Sequence, residues 1–157
     1  MSNQNGVLKF LIIPAGESNG TENELSKRSI LLLEKAIEIY NNKKVDFLIV
    51  AGGVFETSNK NNVKPVAFLM KNWLLEFGKM DKSIVLVEDK SFDLNEGITN
   101  SIKTIKSVIC IKNCKNHNGS KFGSEIIVVG DSKCSKEIKG FFAKENLSIF
   151  YENSNFR

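Results

Sequence analysis

The chain is poor in the side chains from which metal and nucleophilic centres are usually built. Its 157 residues include one histidine, one tryptophan, two prolines and three cysteines. His117 stands alone, so no paired-histidine motif exists. Cys110, Cys114 and His117 fit no CxxC or HxxxH scheme and lack a fourth ligand. The bland reading of the group is a buried helix thiol and an exposed loop histidine, and no metal is expected. An odd number of cysteines without a secretory signal points to free thiols in a reducing compartment. Long apolar runs are also missing: Val7–Ile13 is too short to span a bilayer, and no basic stretch precedes it. The chain therefore reads as cytoplasmic, with no membrane span. There is no GxGxxG and no P-loop, which disfavours a standard dinucleotide or nucleoside-triphosphatase assignment.

Arginine is scarce too. Of 22 basic residues only Arg28 and Arg157 are arginine. The formal charge of +4 is spread over scattered lysines, without the basic stripe or aromatic interleaving that nucleic-acid binders use, so no nucleic-acid partner is expected. Arg28 has two readings: a planar fork that grips carboxylate or phosphate bidentately, or a solvated helix arginine.

What is present is the composition of one globular domain, 41% hydrophobic and 25% charged, with polar tails at about residues 1–6 and 152–157. The organising stretch is Phe47–Ala51 followed by Gly52-Gly53. An unbroken apolar run of this length reads as a strand covered on both faces, as in parallel sheets. The glycines permit a sharp turn, positive φ and close approach to the main chain, which serves either a ligand or a tight strand-to-helix turn. Val7–Ile13, Ile84–Val87, Glu125–Gly130 and Leu147–Tyr151 are the other strand candidates.

Helices alternate with these strands. The first starts near Thr21-x-x-Glu24, a capping-box spacing, and stops at Asn41-Asn42. A second runs from about Val63 to Phe77 with Pro65 in its first turn and Val66, Met70, Trp73 and Phe77 as its stripe; Trp73 reads as core rather than as a ligand-stacking group. A third carries Ile98, Ile102, Ile105 and Ile109 and ends before Asn113, with Asp93 and Glu96 at N-cap and N3 spacing. A fourth follows Asp131-Ser132 with Ile138, Phe141 and Phe142. The pattern predicts a single three-layer α/β/α Rossmann-like domain over 1–157, its sheet mostly parallel with about five strands. Four strand ends then share one rim: Ala15-Gly16, Gly52-Gly53, Glu88 with Ser91, and Gly130 to Ser132.

With those ends in place the chain resembles the YdcF/SanA/ElyC family of Rossmann-like bacterial proteins, from about Leu8 to about Tyr151. The matching positions are Gly16, Arg28, Gly52, Gly53, Glu88, Ser91 and Glu96, with Asp93 a near match. The departures are Leu94 for the family's threonine, Gly97 for asparagine, Gly130-Asp131 for Thr-Ser, Cys134 for histidine and Glu137 for arginine. Family members are linked to envelope or peptidoglycan-precursor metabolism, and the anchor-free YdcF type is a binder of S-adenosylmethionine.

The resemblance implies a small anionic ligand held by Gly16, Arg28, Gly52, Gly53, Glu88, Ser91, Asp93 and Glu96, and the shared rim of strand ends adds Asp131 and Ser132. S-adenosylmethionine or a phosphorylated envelope precursor would fit. Catalytic candidates are Glu88, Glu96 and Cys134; the thiol would need a lowered pKa, and otherwise is a small buried side chain. The implied reaction class is a transfer or hydrolysis on a phosphorylated or nucleotide-like substrate. The alternative is a relative that kept the scaffold and lost the chemistry, acting as a regulatory or protein-interaction module. Neither reading sets an oligomeric state.

Overall fold

The computed structural model describes residues 6–15, 24–53, 64–115, 122–130 and 149–153. Within them run β1 (Val7–Pro14), α1 (Lys27–Lys43), β2 (Phe47–Ala51), α2 (Val66–Glu76), β3 (Val85–Glu88), α3 (Leu94–Lys115), β4 (Gly123–Gly130) and β5 (Ile149–Asn153). The fold is α/β, as its alternating sequence pattern predicts. One five-stranded sheet has the order β3-β2-β1-β4-β5, and every neighbouring pair is parallel. The predicted helix around Ile138 and Phe141 lies outside the described residues. β5 runs to Asn153, two residues past the predicted strand end and into what the sequence suggests as tail.

Strand alternation sorts the apolar residues into two cores. Leu11, Ile13, Leu48, Val50, Ile127 and Val129 face α1 and α2, against Leu33, Ala36, Met70 and Leu74. Phe10, Ile12, Ile49, Ile126 and Val128 face the other way, onto Ile98, Ile102 and Ile105 of α3. Two covered faces explain why β2 has no polar alternation. Each fully buried aliphatic side chain here contributes about 1.5–3 kcal/mol relative to exposure.

Several helix boundaries differ from their sequence signals. α1 begins at Lys27, not near Thr21: Ser26 is its N-cap, extended at φ −66° and ψ 154°, and its hydroxyl accepts from Ser29 N at 3.0 Å. Glu24 precedes the helix and Thr21 lies outside the described residues. The helix also runs past Asn41-Asn42, because Lys44 adopts the left-handed region (φ 52°) and ends it. In α2, Pro65 takes the N-cap position rather than the first turn. The buried face of α2 is Ala67, Met70 and Leu74, so the stripe read through Phe77 is rotated; Phe77 is 65% exposed and leans on Trp73 at 5.6 Å between ring centres. Trp73 is partly buried against the core, as its core reading expects. α3 continues two residues past Asn113, whose Oδ1 accepts from Phe122 N at 2.6 Å and ties the helix end to the start of β4. In the turn into β3, Asp81 accepts from Ser83 N at 2.8 Å, and bonds from Ser83 hold its carboxyl below the ordinary range. No helix among the described residues is long and apolar enough to cross a membrane.

Candidate functional site

The parallel sheet sends every strand's carboxyl end to one edge, which in this architecture is where ligands bind. The strand order reverses direction between β1 and β4. They pair in register from Val7↔Gly123 to Ile12↔Val128, and the strands continue to Pro14 and Gly130. Pro14 has no N–H to extend a ladder. The segments that leave this switch point carry Gly16, Asp131, Ser132 and Cys134, all outside the described residues.

At β2 the two glycines are required, but for crowding and not for conformation. Among the described glycines only Gly6 has positive φ, which corrects the expectation for Gly52 and Gly53. A Cβ on Gly52 would sit 2.7 Å from Ala15 Cβ, and one on Gly53 would sit 2.6 Å from Ser91 O. The close approach comes from the chain itself. Gly52 N donates to Glu88 O at 2.9 Å and Gly53 N to Ser91 O at 2.8 Å. Their carbonyls accept from Ala67 N and Val66 N at the start of α2. The glycines thus weld the ends of β2, β3 and α2 together, and both amides are engaged in that weld.

Glu88 closes β3 in register with Ala51. Val85 and Val87 face the α1/α2 core and Leu86 the α3 core, so alternation turns Glu88 toward α3. There its Oε1 accepts from Lys90 N at 2.9 Å, Ser91 N at 3.0 Å and Asn100 Nδ2 at 3.2 Å. The residue is only 6% exposed, and its Oε2 is buried without a hydrogen-bond partner. An ionisable oxygen left bare in this way is costly. Ser91 is buried beside it, under Gly97, where a Cβ would sit 3.3 Å from Ser91 Oγ.

Asp93 and Glu96 serve the helix, as their spacing suggests. Asp93 Oδ1 accepts from Glu96 N at 2.8 Å, and Glu96 Oε2 reaches back to accept from Phe92 N at 3.2 Å. Leu94 and Gly97, where the resembled family has threonine and asparagine, open this helix, and Gly97 is buried against the Ser91 turn.

Arg28 stands in the first turn of α1, half-buried, next to Lys27. That turn contains no acidic residue. Two cations at the positive end of a helix dipole run against the usual preference. α1 and α3 cover opposite faces. The edge therefore carries Lys27 and Arg28 on the α1 side and the bare carboxylate oxygen on the α3 side.

The structure brings together Gly52, Gly53, Glu88 and Ser91 in one hydrogen-bonded knot, with Asp93 and Glu96 adjoining it. Asn100 is the functional neighbour that sequence reading missed. It lies four residues past Glu96, on the α3 row that reaches β3, and only the bond to Glu88 reveals it. Cys110 and Cys114 are both exposed, against the expectation of a buried helix thiol. No grouping of three or more metal-ligating side chains occurs among the described residues. No protein-family model matches the chain, and no curated protein matches it either.

Proposed function

We infer that the protein binds a small ligand across the carboxyl edge of its sheet, one that combines an anionic group with hydrogen-bond donors. The observation that carries this reading is the bare, buried Oε2 of Glu88 at the end of β3. A fold retains such an atom where a partner supplies the missing donor. A hydroxyl or an ammonium does so; a plain phosphate does not. The first turn of α1, with Lys27 and Arg28 and no acidic residue, supports an anion on the opposite side. Nucleotide-type cofactors such as S-adenosylmethionine, and phosphorylated sugar precursors of the envelope, carry both features. They are also the ligands suggested by the resemblance to the YdcF/SanA/ElyC family. A transferase or hydrolase acting on a phosphorylated or nucleotide-like substrate is the enzyme class in keeping with them.

A second reading, a scaffold serving regulation or protein contact, is favoured by a specific observation. The amides of Gly52 and Gly53 and the carboxylates of Asp93 and Glu96 all have structural partners, and Phe92 beside them is 67% exposed.

A thermal-shift panel separates the two. Purified protein is tested with S-adenosylmethionine, nucleotides, sugar phosphates and a short polyprenyl phosphate, beside Arg28→Ala and Glu88→Gln. A ligand at 100 times its Kd stabilises by about 2.7 kcal/mol. The expected result is a concentration-dependent rise in Tm for one class, diminished in both variants. No rise with any compound would refute ligand binding and leave the interaction module.

A further inference from the structure

At the opposite end of the sheet, a cavity of about 490 Å3 lies between the last turns of α3 and the start of β4. Its α3 wall has two rows, Lys106, Cys110 and Cys114 beside Ile105, Ile109 and Asn113, and Ser124 of β4 faces them. Cys110 and Cys114 are free thiols, both exposed. We propose that this pair is a binding site for a soft monovalent cation of the copper(I) class, held linearly between the two sulfurs.

Residues four apart on a continuous helix have Cβ atoms about 5–6 Å apart. Two metal–thiolate bonds of about 2.3 Å each span about 4.6 Å. A linear sulfur–metal–sulfur bridge therefore fits between adjacent turns without moving the backbone. Thiolates select copper(I) over harder cations. Among the described residues, the walls offer two sulfurs and no carboxylate or imidazole. On binding, each thiol releases its proton to solvent and forms one bond to the metal; nothing is oxidised, and the complex carries one negative charge. Lys106, one turn before Cys110 on the same row, offsets that charge. Ile105 and Ile109 form an apolar floor. The bond from Phe122 N to Asn113 Oδ1 joins the helix end to the start of the strand.

The test is a titration of reduced protein with copper(I) under anaerobic conditions, against a chromophoric copper(I) chelator, with zinc in parallel. The expected outcome is one copper(I) per chain, with maleimide labelling of Cys110 and Cys114 blocked by the metal. Cys110→Ser and Cys114→Ser each weaken binding by more than the roughly 100-fold that loss of a mere outer-shell partner costs, and Cys134→Ser leaves it unchanged. Both substitutions are at exposed positions, and circular dichroism verifies that they fold. Failure to compete with the chelator, binding that survives either single substitution, dependence on Cys134, or tighter binding of zinc would each overturn the proposal.

Discussion

Glu88 gives one carboxylate oxygen to the fold and leaves the other bare. Its Oε1 gathers three donors from the β3–α3 turn and from Asn100, while Oε2 is bare. Two substitutions separate these halves. Glu88→Ala removes the acceptor and strands at least the buried Ser91 N–H, so a loss of about 2–4 kcal/mol is expected. Glu88→Gln keeps a carbonyl for the three donors and changes stability by no more than about 1 kcal/mol. It also places a donor where Oε2 was, and so diminishes the response to a hydroxylated or ammonium-bearing ligand. Urea midpoints for the two variants check the first half of the argument; if Gln is as damaging as Ala, the bare oxygen is not separable from the fold.

At the scale of elements, the turn into α3 rests on its caps. Asp93 satisfies Glu96 N, one of the orphan donors of the first turn. Asp93→Ala is expected to lower stability by about 1 kcal/mol, and Asp93→Asn, which keeps an acceptor, by much less. Equal urea midpoints for the three proteins would show that the cap is idle. This cap was legible in the sequence because it depends on residue types three apart. The start of α1 was not: Thr21-x-x-Glu24 and Ser26 are both lawful caps, and only the packing of Leu32, Leu33 and Ala36 on the sheet selects between them. The glycines of β2 were legible as a place of close approach, yet the approaching group, Ser91 O, comes from a segment 38 residues on and leaves no local signal. The same holds for Asn100, which looks like any polar helix residue until β3 is beside it. The rotation of the α2 stripe has a similar origin, since an edge strand as short as β3 leaves the far end of that helix, and Phe77, partly uncovered.

For the whole molecule, the decisive feature is that a single sheet separates two cores. Ile12 and Ile13 are adjacent in β1 and both fully buried, but the first packs on α3 and the second on α1 and α2. Each truncation to alanine leaves a cavity, with an expected cost of about 2–5 kcal/mol. Because β1 is the central strand, paired on both sides, neither core can come apart without breaking the ladder that supports the other. Ile12→Ala and Ile13→Ala should therefore both lower the urea midpoint in one sharp transition, with the m-value of the parent protein. A biphasic curve for Ile12→Ala alone would mean that α3 detaches as a separate unit. Glu88 would then lose Asn100 before the rest of the sheet unfolds, and the carboxyl edge would be the less stable end of the protein.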